Sequence, residues 1–285
     1  MIVSMTGFGK GETQFQNKKI TVELRTLNSK NIDLNFRTPH CYRELEPLLR
    51  NQINHKLIRG KIDVSVFVDN SGSESTTTLN KQVIQAYLQQ LKEIHSGDTT
   101  ELLKMAVRLP DALKTEKEAL NDAEKEVLLE LFSTTLDKVN QHRQDEGKAL
   151  TIDFNKRLNN LSQLLSKVIE IAPERKIKIT EKLNIALEQL AIDVDKNRLE
   201  QELIYYLEKY DITEEKVRLA NHIDYFKEIM SQDQANGKKL GFIAQEMGRE
   251  INTIGSKANH AGLQKIVVQM KDELEKIKEQ LLNVL

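Results

Sequence analysis

The chain has 285 residues, enough for one large domain or two ordinary ones with an ample core. With 42 basic and 43 acidic residues the formal net charge is −1, which points to neither nucleic acid nor membrane as a partner. The single cysteine, Cys41, excludes an intrachain disulfide and any cysteine-rich metal site.

No apolar run approaches the ~18 residues that a membrane span needs, and Met1-Ile2-Val3-Ser4-Met5-Thr6 does not open like a secretory leader. The absence of disulfides fits a reducing compartment, so the expected location is the cytoplasm. Charge is unevenly spread. Residues 1–69 hold 11 Lys/Arg against 7 Asp/Glu, a local +4, so the remainder carries −5. A mildly basic N-terminal region is compatible with a polyanion ligand without establishing one. No tryptophan and 5% aromatic content argue against base-stacking as the main binding device.

Strand periodicity dominates the N-terminal region. Gly7-Phe8-Gly9-Lys10-Gly11 opens a strand rather than a helix, so its glycines favour a close backbone approach or a bulge over phosphate binding. Ile20, Val22 and Leu24 alternate with polar residues, as do Ile32, Leu34 and Phe36. Ile62, Val64, Val66 and Val68 repeat the pattern, with Phe67 breaking the polar face. Between the last two strands, Leu45, Leu48, Leu49, Ile53 and Leu57 predict a helix over about 42–58. The order β-β-β-α-β predicts an antiparallel sheet with a helix on one side.

Residues 70–78 form a polar Ser/Thr-rich stretch without an apolar anchor, expected to be a mobile loop. Beyond it the chain reads as helical almost throughout, with breaks expected at Pro110 and Pro173. Helices are predicted over about 115–170, 175–192, 196–210, 213–232, 238–257 and 259–284. The last has Leu263, Ile266, Val267, Met270, Leu274, Ile277 and Leu281 in near-heptad order, fit for a bundle or an oligomer seam. The fold class is therefore α+β, a sheet-and-helix domain followed by a helical region.

Two helices carry candidate chemistry. On 238–257, Leu240, Ile243, Met247, Ile251 and Ile254 fall within about 80° of one another, and Glu246, Glu250, Thr253 and Lys257 form a stripe on their flank. Two carboxylates one turn apart cost an exposed helix roughly 0.2–0.5 kcal/mol, so a cation or an arginine should offset them. Arg249 pairing with Glu246 on a solvated face would suffice. On 213–232, Asp211 and Glu214 have capping-box spacing, and Glu215, Arg218, His222 and Tyr225 line one polar stripe. Glu can hold a hard cation, Arg can neutralise phosphate, and His transfers protons near neutrality. A Glu215–Arg218 ion pair beside a boundary histidine is the plainer alternative. If both helices pack through their apolar faces, Glu215, Arg218, His222, Glu246 and Glu250 border one groove. In the N-terminal part, Arg25, Lys30, Arg37 and Lys61 offer a phosphate-contacting face, or simply a soluble sheet face of mixed charge. Arg43 and Arg50, seven apart, are expected to share a helix face.

Ser4-Met5-Thr6-Gly7-Phe8-Gly9-Lys10, Val22 to Lys30, Arg59-Gly60-Lys61, Arg143 to Leu150, Arg218 to Ile223 and Gly237 to Lys257 stand in the order of matching blocks in the YicC/YloC family, which the chain resembles over nearly its whole length. Gly241 and Gly248 depart from that pattern, where an aspartate and an asparagine are usual. The resemblance implies an endoribonuclease using a divalent metal, Mn or Mg, in a ring-like homo-oligomer, a hexamer by expectation. It implies a division into an N-terminal domain (1–155), connecting helices (156–199) and a C-terminal helical domain (200–285). His222, Arg218, Glu246 and Glu250 are then the candidate catalytic residues, and Glu215, Glu246 and Glu250 the candidate metal ligands. Arg249 and Lys257 join the four N-terminal cations as candidate RNA contacts. Two other classes stay open: an RNA-binding adaptor serving other ribonucleases, and a helical assembly scaffold. Exposed Phe242, about 200° from Leu240 and opposite the apolar stripe, favours an oligomer.

Overall fold

The computed structural model describes residues 2–70, 77–95, 97–115, 120–190, 196–232 and 236–285. The alternating segments form β1 (Gly7–Phe15), β2 (Lys18–Leu27), β3 (Ile32–Arg37) and β4 (Gly60–Asn70), arranged β1-β2-β4-β3. The order β-β-β-α-β holds, but the sheet is mixed rather than wholly antiparallel, because β3 pairs with β4 in parallel. The connection between them contains a helix, which returns the chain to the same end of the sheet. That helix begins later than its apolar spacing indicates. Residues His40–Leu45 make a 3₁₀ turn, and α1 spans Glu46–Lys56. Arg43 therefore lies outside α1, and the seven-residue spacing to Arg50 defines no shared face. Arg50 instead lies over the Phe36 ring, 4.7 Å from its centroid.

Between β4 and the long helix, β5 (Thr77–Leu79), α2 (Lys81–Ile94), α3 (Thr99–Ala106) and β6 (Leu113–Thr115) make a helical hairpin closed by two short strands. A helix-only reading of this stretch misses both strands, which at three residues each are too short to show a period. Most of the polar loop, residues 71–76, lies outside the described residues. Pro110 falls in the turn after α3, as expected.

α4 runs from Asp122 to Leu190 without interruption, 69 residues with Pro173 inside it. The break expected at Pro173 does not occur. Pro173 is exposed, and so is Ile169, whose carbonyl loses its partner; water can satisfy that carbonyl, which lowers the usual penalty. The helix expected over 175–192 is thus the end of α4, with 191 and 192 outside the described residues. α5 (Lys196–Lys209), α6 (Thr213–Ser231), α7 (Gly237–Lys257) and α8 (Ala261–Leu281) follow close to their predicted bounds. Asp211 marks the start of α6 by accepting from the Thr213 amide at 3.2 Å and its hydroxyl at 2.8 Å.

Two large cores result. In the first, Ile20, Val22, Leu24, Ile62 and Val64 meet Leu49 and Ile53 of α1 and Leu128, Phe132, Leu136 and Val139 of α4. In the second, Phe154, Leu158 and Leu161 of α4 meet the apolar stripes of α6, α7 and α8. All seven residues of the α8 seam are buried there, so the chain itself consumes that seam and it no longer argues for an oligomer. Residues Leu282 to Leu285 then return to the N-terminal segment. The Met5 amide donates to the Asn283 carbonyl at 2.7 Å, Leu285 to Val3 at 3.0 Å, and Gly237 to Leu285 at 2.9 Å.

The glycines of β1 are what let α4 lie on the sheet. A Cβ on Gly9 would stand 2.7 Å from the Thr135 carbonyl oxygen and 2.7 Å from Val139 Cγ2. One on Gly7 would stand 2.7 Å from Arg143 Cγ. Gly9→Val should therefore cost about 3 kcal/mol by overpacking. A urea midpoint equal to that of the wild type would show that α4 can shift without loss.

Candidate functional site

α6 and α7 are joined by a short connection, and their apolar stripes face each other, Leu219, Ile223, Phe226 and Met230 against Leu240, Ile243, Met247 and Ile251. The helices run antiparallel, since Glu215 in the first turn of α6 meets Lys257 at the end of α7, Nζ to Oε1 at 2.7 Å. Seven residues inward from that contact on each helix, two full turns, are His222 and Glu250. They therefore lie level along the seam. This is the groove that the two polar stripes foreshadow, and the structure brings Glu215, His222, Glu246, Glu250 and Lys257 to its border.

The carboxylates there are not ordinary surface charges. Glu215 is 6% exposed and Glu250 8%. Glu215 Oε2 is buried without a hydrogen-bond partner while its other oxygen holds Lys257. Glu250 has neither hydrogen bond nor ion pair among the described residues. Glu246 has Arg249 Nη1 2.8 Å from Oε1, yet that buried oxygen accepts no aligned hydrogen bond. Arg249 is mostly exposed, so this pair resembles the solvated alternative only on the arginine side. Buried anionic oxygens without donors are costly, which makes an outside cation a natural complement.

Arg218 takes another course. It is exposed and pairs with Glu214 rather than with Glu215. His222 is half-buried, and Tyr225 is exposed beneath Lys239, whose Nζ lies 5.2 Å from the ring centroid. Gly248 faces α8, where a Cβ would meet Leu274 Cδ2 at 3.3 Å. That direction is about 160–200° around α7 from Glu246 and Glu250, so the missing asparagine removes nothing from their row. Gly241 is open, with nothing within 4 Å of the point where a Cβ would stand.

Among the described residues, no three His, Cys, Asp or Glu side chains converge tightly enough to enclose a metal. The donor set still suits a hard divalent ion of the Mg type, which uses one or two carboxylates and keeps several waters. Glu246 and Glu250 offer that pair.

The N-terminal cations lie apart from this groove in kind. Arg25, Arg37 and Lys61 are exposed on the sheet face turned away from α4, and Lys30 is exposed in the β2–β3 turn. Acidic residues interleave with them. Lys10 is 3.1 Å from Glu12 and 3.5 Å from Glu23, Lys19 is 2.7 Å from Glu12, and Arg25 is 3.8 Å from Glu23. The Lys19 and Lys10 bonds hold the Glu12 carboxyl below its ordinary range. Phe8 and Phe67 are exposed on the same face, and Arg25 lies over the Phe8 ring at 5.6 Å. Sequence reasoning passes over Phe8 because overall aromatic content is low, yet its place in the strand alternation already sets it outward.

A mixed-sheet α+β domain joined by one long helix to a bundle with a carboxylate-bordered helical hairpin defines an α+β protein with a candidate cation site. The chain belongs to the YicC-like endoribonuclease family. The model "Endoribonuclease YicC-like, N-terminal region" matches residues 2–151, and "Endoribonuclease YicC-like, C-terminal" matches 168–285. A "Probable endoribonuclease YicC" of Clostridioides difficile is 35% identical over 293 residues, covering all of both chains. Another of that name, from Haemophilus influenzae, is 30% identical over 287 residues, again covering both entirely. No helix among the described residues is long and apolar enough to cross a membrane.

The Glu215–Lys257 contact gives a stability prediction. Lys257→Met leaves a buried carboxylate unpaired and should cost about 2 kcal/mol, less than a fully buried pair because Lys257 is partly exposed. Adding Glu215→Gln should restore most of that loss. Additive costs in the double mutant would show that the two side chains are not coupled.

Proposed function

We propose that this chain is an endoribonuclease that hydrolyses RNA phosphodiester bonds with Mn or Mg and works as a homohexameric ring. The observation that carries the reading is Glu250, 8% exposed with no hydrogen bond or ion pair among the described residues, one turn from Glu246, whose Oε1 is buried and accepts no aligned hydrogen bond. The names of the two relatives, matched over their whole lengths, support RNA as the substrate.

Glu246 and Glu250 would hold the ion, and Glu215 would stand behind them on α6. When bound, the ion supplies Lewis-acid stabilisation of the scissile phosphate and an activated water. His222, level with Glu250 and partly open to solvent, is placed to move a proton to or from a reacting oxygen. Arg218 is only loosely committed, since an exposed pair with Glu214 is worth little, and it can turn to a phosphate. Lys257 balances Glu215 and keeps the end of the seam from becoming a second anionic centre. Phe242, 61% exposed on the side of α7 away from the core, supports a subunit contact.

Cleavage of labelled RNA by the purified chain tests the reading. EDTA should abolish it, and Glu246→Gln and Glu250→Gln should each lower the rate at least ~100-fold, beyond what an outer-shell partner costs. Both changes leave the apolar stripe untouched, so circular dichroism should be unaltered. Wild-type cleavage by both variants would place the chemistry elsewhere. Tight RNA binding without any cleavage would favour an adaptor instead.

The exposed sheet face is the proposed approach for RNA. Replacing Arg25, Lys30 and Arg37 together by alanine should weaken binding and reduce the slope of log affinity against log salt by about 2–3, as fewer counterions are released. An unchanged slope would put the path of RNA along the helices.

A further inference from the structure

Away from the α6–α7 seam, Arg143, on α4 where it crosses β1, carries a buried polar atom without a partner. Its side chain is 2% exposed and is the bulkiest of the fully buried ones. Nε donates to the Ser4 carbonyl oxygen at 2.7 Å, whereas Nη2 is buried with no hydrogen-bond partner. A second cation reaches the same place, because Ser4 and Val284 pair in an antiparallel bridge. Arg59, half-buried in the loop before β4, donates from Nη2 to the Val284 carbonyl at 3.1 Å. Among the described residues, neither guanidinium has an ion-pair partner. The carboxylate one turn along α4, Glu146, is engaged by Thr6, whose hydroxyl reaches Oε1 at 2.8 Å and Oε2 at 2.7 Å. Burial, and then the charge of Arg59, hold the Arg143 guanidinium below the ordinary arginine range.

Two guanidinium groups held on the two strands of one bridge, one buried and neither ion-paired among the described residues, are expensive to keep in a protein interior. A planar fork with a free donor matches an oxyanion, and phosphate is the oxyanion that such forks bind best. We propose that Arg59 and Arg143 form an anion site that takes a phosphate group, reached from the Arg59 side. Lys30 supports that approach, being exposed in the β2–β3 turn at the same end of the sheet as Arg59, where the Gly60 amide donates to the Asn31 carbonyl. The site touches the N-terminal segment through Ser4 and the returning C-terminal segment through Val284, so an occupant would brace the junction of the two cores. Its ligand is either free phosphate or a terminal phosphate of an oligonucleotide; the chemistry is the same. The site is separate from the proposed nuclease centre and needs no cleavage to be observed.

Calorimetric titration and thermal unfolding of the full chain, with sodium phosphate against sodium chloride at matched ionic strength, test the proposal. At phosphate about tenfold above its dissociation constant, the unfolding midpoint should rise by about 3 °C over the chloride control. Arg59→Gln should weaken phosphate binding at least tenfold. If Arg59→Gln does not unfold cooperatively, Arg143→Lys, which keeps the charge but loses the fork, serves as the second variant with the same expected loss. Equal responses to phosphate and chloride, or a foldable variant that binds phosphate as the wild type does, would overturn the site. Deoxyoligonucleotides with 5′-phosphate and 5′-hydroxyl ends separate the sources. A preference for the phosphorylated end that Arg59→Gln removes assigns a terminal phosphate, and phosphate binding without that preference assigns the free ion.

Discussion

α4 furnishes a wall of both large cores, and the rest of the molecule is built around that sharing. Leu128, Phe132, Leu136 and Val139 close the sheet core, and Phe154, Leu158 and Leu161 open the bundle core further along the same helix. The sharing depends on how closely the helix can approach β1. Gly7, Gly9 and Gly11 place backbone, not side chains, against Thr135, Val139 and Arg143. The close fit also carries Arg143 into the interior, where its polar demand is only partly met. At its other end the bundle is tied back by Leu282 to Leu285, which bond to the N-terminal segment and to the first residue of α7. Glu273 of α8 adds a polar clasp to α4, 3.0 Å from Asn160 and 3.4 Å from Arg157.

That frame holds the α6–α7 hairpin in one register, and the register gives the polar residues their meaning. A helix bearing Glu246 and Glu250 in water would need no explanation beyond salt and solvent. In the seam, with apolar stripes interlocked beside them, Glu250 loses hydration without gaining a protein donor among the described residues, and Glu246 Oε1 is buried against Arg249 without an aligned hydrogen bond. Glu215 finds Lys257 through one of its two oxygens. Glu250 finds no such partner among the described residues. The asymmetry separates the part of the row that pairs across the hairpin from the part that does not.

Much of this is legible in the sequence where periodicity is long. The strand alternation, the apolar stripes of α6, α7 and α8, and the shared groove all follow from helical and strand geometry. Short or context-dependent features do not. β5 and β6 are too short to show a period, and the parallel pairing of β3 with β4 depends on a crossover that residue alternation does not encode. Pro173 is a helix breaker by propensity, but its exposed position lets the helix continue. The partner of Glu215 is a residue 42 positions away on α7, so spacing along α6 offers only Arg218. Arg143 and Arg59 carry the family resemblance without standing out as a site, because only tertiary packing brings their charges together.

Glu246 and Glu250 are proposed to hold a divalent ion, and Mn(II) electron paramagnetic resonance of the purified chain tests this without relying on cleavage. Titrating the protein with Mn(II) should deplete the free-ion signal, and Glu246→Gln and Glu250→Gln should each weaken that binding at least tenfold while Lys30→Ala leaves it unchanged. Mn(II) binding of equal strength in the wild type and both glutamine variants would contradict a metal site in the α6–α7 seam.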